Sequence, residues 1–105
     1  MLKLRSNRCE VKGISFISVS YAIRNLTILD ISQNGIGDDG FKHIADAKYL
    51  SNLHKLYVND NNLTHLSAKY LGNSNFLGKL RLLAIGKNQL TEKGAYHLAE
   101  SYNLD

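Results

Sequence analysis

The sequence of 105 residues contains a single cysteine, Cys9, so it cannot close an internal disulfide. Small secreted domains usually depend on several bridges, which makes a reducing, intracellular (cytoplasmic) setting the expected one. No stretch approaches the ~18–20 consecutive apolar residues of a membrane span. The opening Met1-Leu2-Lys3-Leu4-Arg5 also lacks the apolar block of a secretory signal. With 44% apolar and 21% charged residues, the composition is that of an ordinary soluble domain, neither disordered nor membrane-embedded. One domain is expected over residues 1–105.

Charge is unevenly spread. Lys3, Arg5, Arg8, Lys12 and Arg24 stand against Glu10 alone in residues 1–25, so this stretch carries the whole net +4, and residues 26–105 are balanced. A basic end can attract nucleic acid, with Lys3, Arg5, Arg8 and Lys12 as the contacts, or it can keep an exposed sheet edge from recruiting other strands. No aromatic side chain interrupts that basic set, which weighs against nucleic acid.

What the sequence does have is a repeat. Asn34, Asn61 and Asn88 are spaced by 27 residues, and each follows an apolar pair: Leu29 and Ile31, Leu56 and Val58, Leu83 and Ile85. Leu26, Leu53 and Leu80 open the units; Ile44, Leu71 and Leu98, then Leu50, Leu77 and Leu104, keep the same register. Projecting back by 27 reaches Leu2, Leu4, Asn7 and Cys9. The expected units are therefore 1–25, which is degenerate, 26–52, 53–79 and 80–105.

The run Leu26-Thr27-Ile28-Leu29-Asp30-Ile31-Ser32-Gln33-Asn34, followed by Gly35-Ile36-Gly37-Asp38-Asp39-Gly40, resembles the LxxLxLxxN pattern and helix-leading turn of leucine-rich repeats. It is most similar to their ribonuclease-inhibitor-like class. The resemblance implies an α/β solenoid, a horseshoe segment of about four repeats with a parallel β-sheet on the concave side and α-helices on the convex side. The class includes inhibitors, activators of small GTPases, and sensor or scaffold domains, so it does not name one activity.

The residues read the same way by themselves. Alternating Leu29 and Ile31 suit a strand with one buried face, and Ile44, Ala47 and Leu50 suit one face of a helix. The asparagine column, Asn7, Asn34, Asn61 and Asn88, should satisfy backbone groups of neighbouring turns, because a side-chain amide both donates and accepts. Gly37, Thr64 and Thr91 mark helix starts, with Asp38, Asp39 and Glu92 placing negative charge in the first turn. The small-residue columns Gly13, Gly40, Ser67, Gly94 and Ser18, Ala45, Gly72, Ala99 are assigned to close packing. Tyr21, Tyr49, Tyr70, Tyr96 and Tyr102 fall on helical segments and Tyr57 on a strand.

Chemistry is not legible. Gly35-Ile36-Gly37 lacks the Gly-rich fingerprint and βαβ context of a nucleotide loop. His43, His54, His65 and His97 do not share a column except His43 and His97, two units apart and too distant to share a metal. Cys9 aligns with Ile36, Leu63 and Leu90 and reads as a buried aliphatic substitute, with no aligned base to activate it. No cofactor, metal site or catalytic residue is expected, and the chain is read as a non-enzyme.

The outward strand positions are the candidate site. Ile28, Asp30, Ser32, Lys55, Tyr57, Asn59, Asp60, Leu82 and Lys87 should share the open concave face. They mix aliphatic, aromatic and charged groups, which suits a protein partner. Neither end carries an evident polar cap, so the expected alternatives are a fragment of a longer array or end-to-end self-association.

Overall fold

A computed structural model describes residues 1–4, 10–92 and 94. Strands β1 (Leu2–Lys3), β2 (Ile28–Asp30), β3 (Lys55–Tyr57) and β4 (Leu82–Ala84) form one parallel sheet in chain order. Helices α1 (Glu10–Ser18), α2 (Gly37–Ala45) and α3 (His65–Gly72) connect them, each packing on the next. The register pairs Leu2 with Leu29, Leu29 with Leu56, and Leu56 with Leu83, a constant shift of 27 residues. The sequence period is thus the strand-to-strand step of the sheet.

The short strands follow from two-residue alternation. Leu29 and Leu56 are fully buried, whereas Lys55 and Leu82 on the other face are exposed. The inward residues join Ile14, Phe41, Ile44, Leu71 and Leu77 in one apolar core between sheet and helices. All-parallel sheets are normally covered on both faces. Among the described residues, this one leaves one face bare.

The helical reading needs a correction. Ile44, Ala47 and Leu50 are all buried as expected, but α2 ends at Ala45, Ala47 is extended, and Leu50 closes a separate 3-10 turn, Lys48–Leu50. A similar turn, Tyr21–Ile23, follows α1. The chain must reverse within a few residues to start the next strand, and a tight turn does so while still burying the apolar side chain. Tyr21 and Tyr49 therefore lie in these turns and Tyr70 in α3, while Tyr96 and Tyr102 are outside the described residues.

Behind the strands runs the asparagine ladder. The Asn61 Oδ1 accepts from the backbone amides of Asn34 (2.9 Å) and Ile36 (3.4 Å), and its Nδ2 donates to the Ile31 carbonyl (3.0 Å). Asn88 repeats the arrangement one unit on, accepting from Asn61 N (2.9 Å) and Leu63 N (3.0 Å) and donating to the Val58 carbonyl (3.0 Å). Gln33, Asp60 and Lys87, again 27 apart, have φ of 61°, 56° and 52°. This left-handed residue swings the chain out of the strand just before each asparagine, and the amides freed from the sheet are taken up by the next unit's side chain. Asn7 and Cys9 lie outside the described residues.

The glycine column has a local cause. A Cβ on Gly40 would stand 2.6 Å from the Ile36 Cβ, and one on Gly94 2.8 Å from the Leu90 Cβ and 3.4 Å from the His65 Cα, so the tightest approach is to the residue four positions earlier, with the backbone of α3 next for Gly94.

Candidate interaction surface

On the bare face the parallel pairing brings Ile28, Lys55 and Leu82 into one row, and Lys3, Asp30, Tyr57 and Ala84 into the next. Lys55 and Leu82 are exposed; Ile28, Asp30 and Tyr57 are half-buried. Asp60 and Lys87, on the turns that follow, are exposed. Ile28, Asp30, Lys55, Tyr57 and Leu82 lie on the outward face of the strands, and Asp60 and Lys87 on the turns at its edge.

Ser32 does not join them. It is 1% exposed, and its hydroxyl accepts from the Asn59 amide at 3.1 Å while its own amide donates to the Asp30 Oδ1 at 3.0 Å. Asn59 is half-buried and its Oδ1 accepts from the Gly86 amide at 2.6 Å. The expectation that Ser32 is a surface contact is therefore corrected. By this position the strand has ended, and its neighbours' amides require side-chain acceptors. A polar residue there serves the sheet before it serves a partner.

Of the alternative basic set, Lys3 is exposed on β1 and Lys12 is exposed on α1; Arg5 and Arg8 are outside the described residues.

Among the described residues, the most heavily bonded charged group is one whose role could not be read from its place in the first turn of α2. The Asp38 carboxylate reaches forward to the next unit: Oδ2 accepts from the Thr64 hydroxyl (2.6 Å), and Oδ1 accepts from the Thr64 amide (2.9 Å), the Ser67 amide (3.2 Å) and the Ser67 hydroxyl (2.6 Å). Burial pushes the Asp38 pKa up, but the bonds from Ser67 and Thr64 outweigh it and hold the carboxyl below its ordinary value. Thr64 caps α3 as expected, its hydroxyl accepting from the Leu66 amide at 3.2 Å. Asp38 thus acts as a second cap for α3, contributed from the preceding unit. The available signal was Ser67, the one hydroxyl in a glycine column, paired with an acid one unit earlier.

A second surface was also missed. At the helix-to-strand connections the Tyr21 and Tyr49 rings meet edge to face at 5.2 Å. The Arg24 guanidinium lies 4.2 Å from the Tyr21 ring centre and the Lys48 ammonium 5.0 Å from that of Tyr49. Val19, Tyr49 and Phe76 line a groove beside them. Among the described residues, no three histidine, cysteine, aspartate or glutamate side chains are grouped to hold a metal, and no helix is long and apolar enough to cross a membrane.

Comparison with curated proteins finds no match. Residues 22–45 do match a family model, described as Leucine Rich repeat. The matched segment comprises β2 and α2 with the turns around them, and strands in the same register lie 27 residues to either side. This agreement between the matched unit and its neighbours in the sheet supports a leucine-rich repeat protein.

Proposed function

We propose that this chain is a non-catalytic protein-interaction module whose bare sheet face holds a macromolecular partner. Leucine-rich repeat domains generally mediate protein–protein interaction. In this reading the chain is a solenoid segment of the ribonuclease-inhibitor-like class, its sheet is the concave side of a horseshoe, and it works inside the cell.

The observation that carries the proposal is the uncovered face of a parallel sheet. Tyr57, Ile28 and Leu82 stand there beside Asp30 and Lys55, with the strand backbones already paired and the core complete behind them. Packing on the core side does not call for that mixture of outward side chains. An aromatic flanked by both signs of charge is suited to anchoring a partner and fixing its register. Asp30, Lys55 and Tyr57 are the central contacts, with Asn59 and Asp60 at the edge.

The test is affinity capture with the full chain as bait, followed by the double substitution Asp30→Asn with Tyr57→Ala, in which the asparagine removes the charge and keeps the Oδ1 that accepts from the Ser32 amide. A captured protein that binds this face is lost from the variant while circular dichroism and the urea midpoint stay near those of the parent chain. Undiminished capture by the double variant would place the partner elsewhere and overturn the assignment of this face.

A further inference from the structure

We propose that the rim where helices give way to strands is a second binding surface, independent of the sheet face, and that its occupant is an acidic peptide segment carrying one large apolar side chain.

The repeat sorts charge by edge. Residues 19–27, 46–54 and 73–81 form the three described helix-to-strand connections, and the 27-residue register stacks them along one edge. They hold Arg24, Lys48, Lys79 and Arg81 against the single acid Asp46. On the opposite edge, where strands lead into helices, Asp38, Asp39, Asp60 and Glu92 stand against Lys87 among the described residues from 31 onward. Residues 26–105 are neutral in linear count, yet among the described residues stacking gathers Lys48, Lys79 and Arg81 along the same edge as Arg24. The field of the basic rim favours a negatively charged partner.

Shape narrows the partner further. Ser18, Val19, Asp46, Lys48, Tyr49 and Phe76 line a groove of ≈ 370 Å³, the scale of one bulky side chain with its neighbours. Val19 is 71% exposed and Tyr21 59% exposed at its margin, so apolar surface is left open beside the cations. Clusters of exposed apolar groups with a polar border are characteristic of interaction sites.

An aromatic and basic surface also suits nucleic acid, but here the rings are already engaged. Arg24 lies over Tyr21 and Lys48 over Tyr49, and the Tyr21–Tyr49 pair is edge to face, which leaves no parallel platform for stacked bases. Asp46 in the groove wall would repel a phosphate and leaves an apolar side chain undisturbed. A second copy is the other acidic candidate. Its acidic rim, however, has Asp38 committed to Thr64 and Ser67.

The experiment uses the full chain and fluorescence polarisation with three labelled probes: a peptide of about ten residues rich in glutamate with a central phenylalanine, the same peptide with alanine at the centre, and an oligothymidylate of similar charge. Sedimentation of the unliganded chain accompanies it. The phenylalanine peptide should bind most tightly, and Lys48→Glu or Val19→Asp should weaken it by at least about fivefold. Both positions are exposed, so circular dichroism should be unchanged, and Tyr57→Ala should leave this binding intact even if the sheet-face reading fails. No saturable peptide binding by about 1 mM, tighter binding of the oligonucleotide, or insensitivity to the rim variants would each overturn the proposal. Self-association abolished by Lys48→Glu would assign the rim to a second copy and overturn it too.

Discussion

The Asp38 carboxylate accepts the Ser67 hydroxyl at 2.6 Å across 29 residues of sequence, tying the first turn of one helix to the first turn of the next. A single carboxylate caps α3 from outside, so the two units share one helix start. Free amides at a helix N-terminus favour a negative charge, and an acceptor fixed by a neighbouring helix supplies it without ordering a flexible side chain for that purpose.

Replacing Asp38 by alanine should destabilise the chain by about 1–2 kcal/mol, the range of a lost helix cap. The dependence on pH distinguishes this from a packing defect. A carboxyl held below its ordinary pKa contributes stability that is present above the unfolded value of about 3.9 and is lost as pH falls through the lower folded value. Urea unfolding across pH should show a constant gap between the parent chain and Asp38→Ala above about pH 5. The gap should narrow once the pH drops below about 4. A gap unchanged down to about pH 2 would mean that the charge plays no part.

Asn61 is 0% exposed, and replacing it by alanine removes the acceptor of two backbone amides, those of Asn34 and Ile36, while the Ile31 carbonyl keeps its bond from Asn34 Nδ2. At about 1–3 kcal/mol for an unsatisfied buried group, with some relaxation, the loss should reach about 2–4 kcal/mol. Asn88→Ala removes the corresponding acceptor at a half-buried position where water can compensate, and should cost less. Equal midpoints for the two variants in urea denaturation would contradict the view that burial of the ladder sets its worth.

Gly37 and Thr91 occupy the same place in units 54 residues apart and share a left-handed backbone, φ 62° and 63°. Thr64 between them is extended at φ −114°, the conformation in which it caps α3. A β-branched residue pays about 1–2 kcal/mol in the left-handed region, and glycine does not. Thr91→Gly should therefore stabilise the chain by about 1 kcal/mol, whereas Gly37→Thr should destabilise it by a similar amount. Thermal unfolding of both variants checks the sign, and a destabilised Thr91→Gly would show that the threonine is favoured by something other than its backbone.

The spacing of the asparagines and the alternation of Leu29, Ile31, Leu56 and Val58 were enough to fix the strand register, because a one-residue slip would turn every one of these side chains outward. The same alternation identified Ile28, Asp30, Lys55, Tyr57 and Leu82 as neighbours on one face. It failed at Ser32, where the strand stops and periodicity no longer says which way a side chain points; the Asn59 amide, which donates to the Ser32 hydroxyl, decided that instead. It also joined Ala47 and Leu50 to α2, since burial alone cannot tell a helix from the tight turn after it.

Local pattern thus determined what recurs: a strand, an asparagine, a helix, and the direction each strand residue faces. What only the tertiary structure decided is what one unit does for the next. Asp38 belongs by sequence to α2 and by hydrogen bonding to α3, and Arg24, Lys48, Lys79 and Arg81 form a rim only when the connections are stacked. The physical reason is the same in both cases. Hydrogen bonds and electrostatic fields act over ångströms of space, and stacking brings residues a unit apart in sequence into that range.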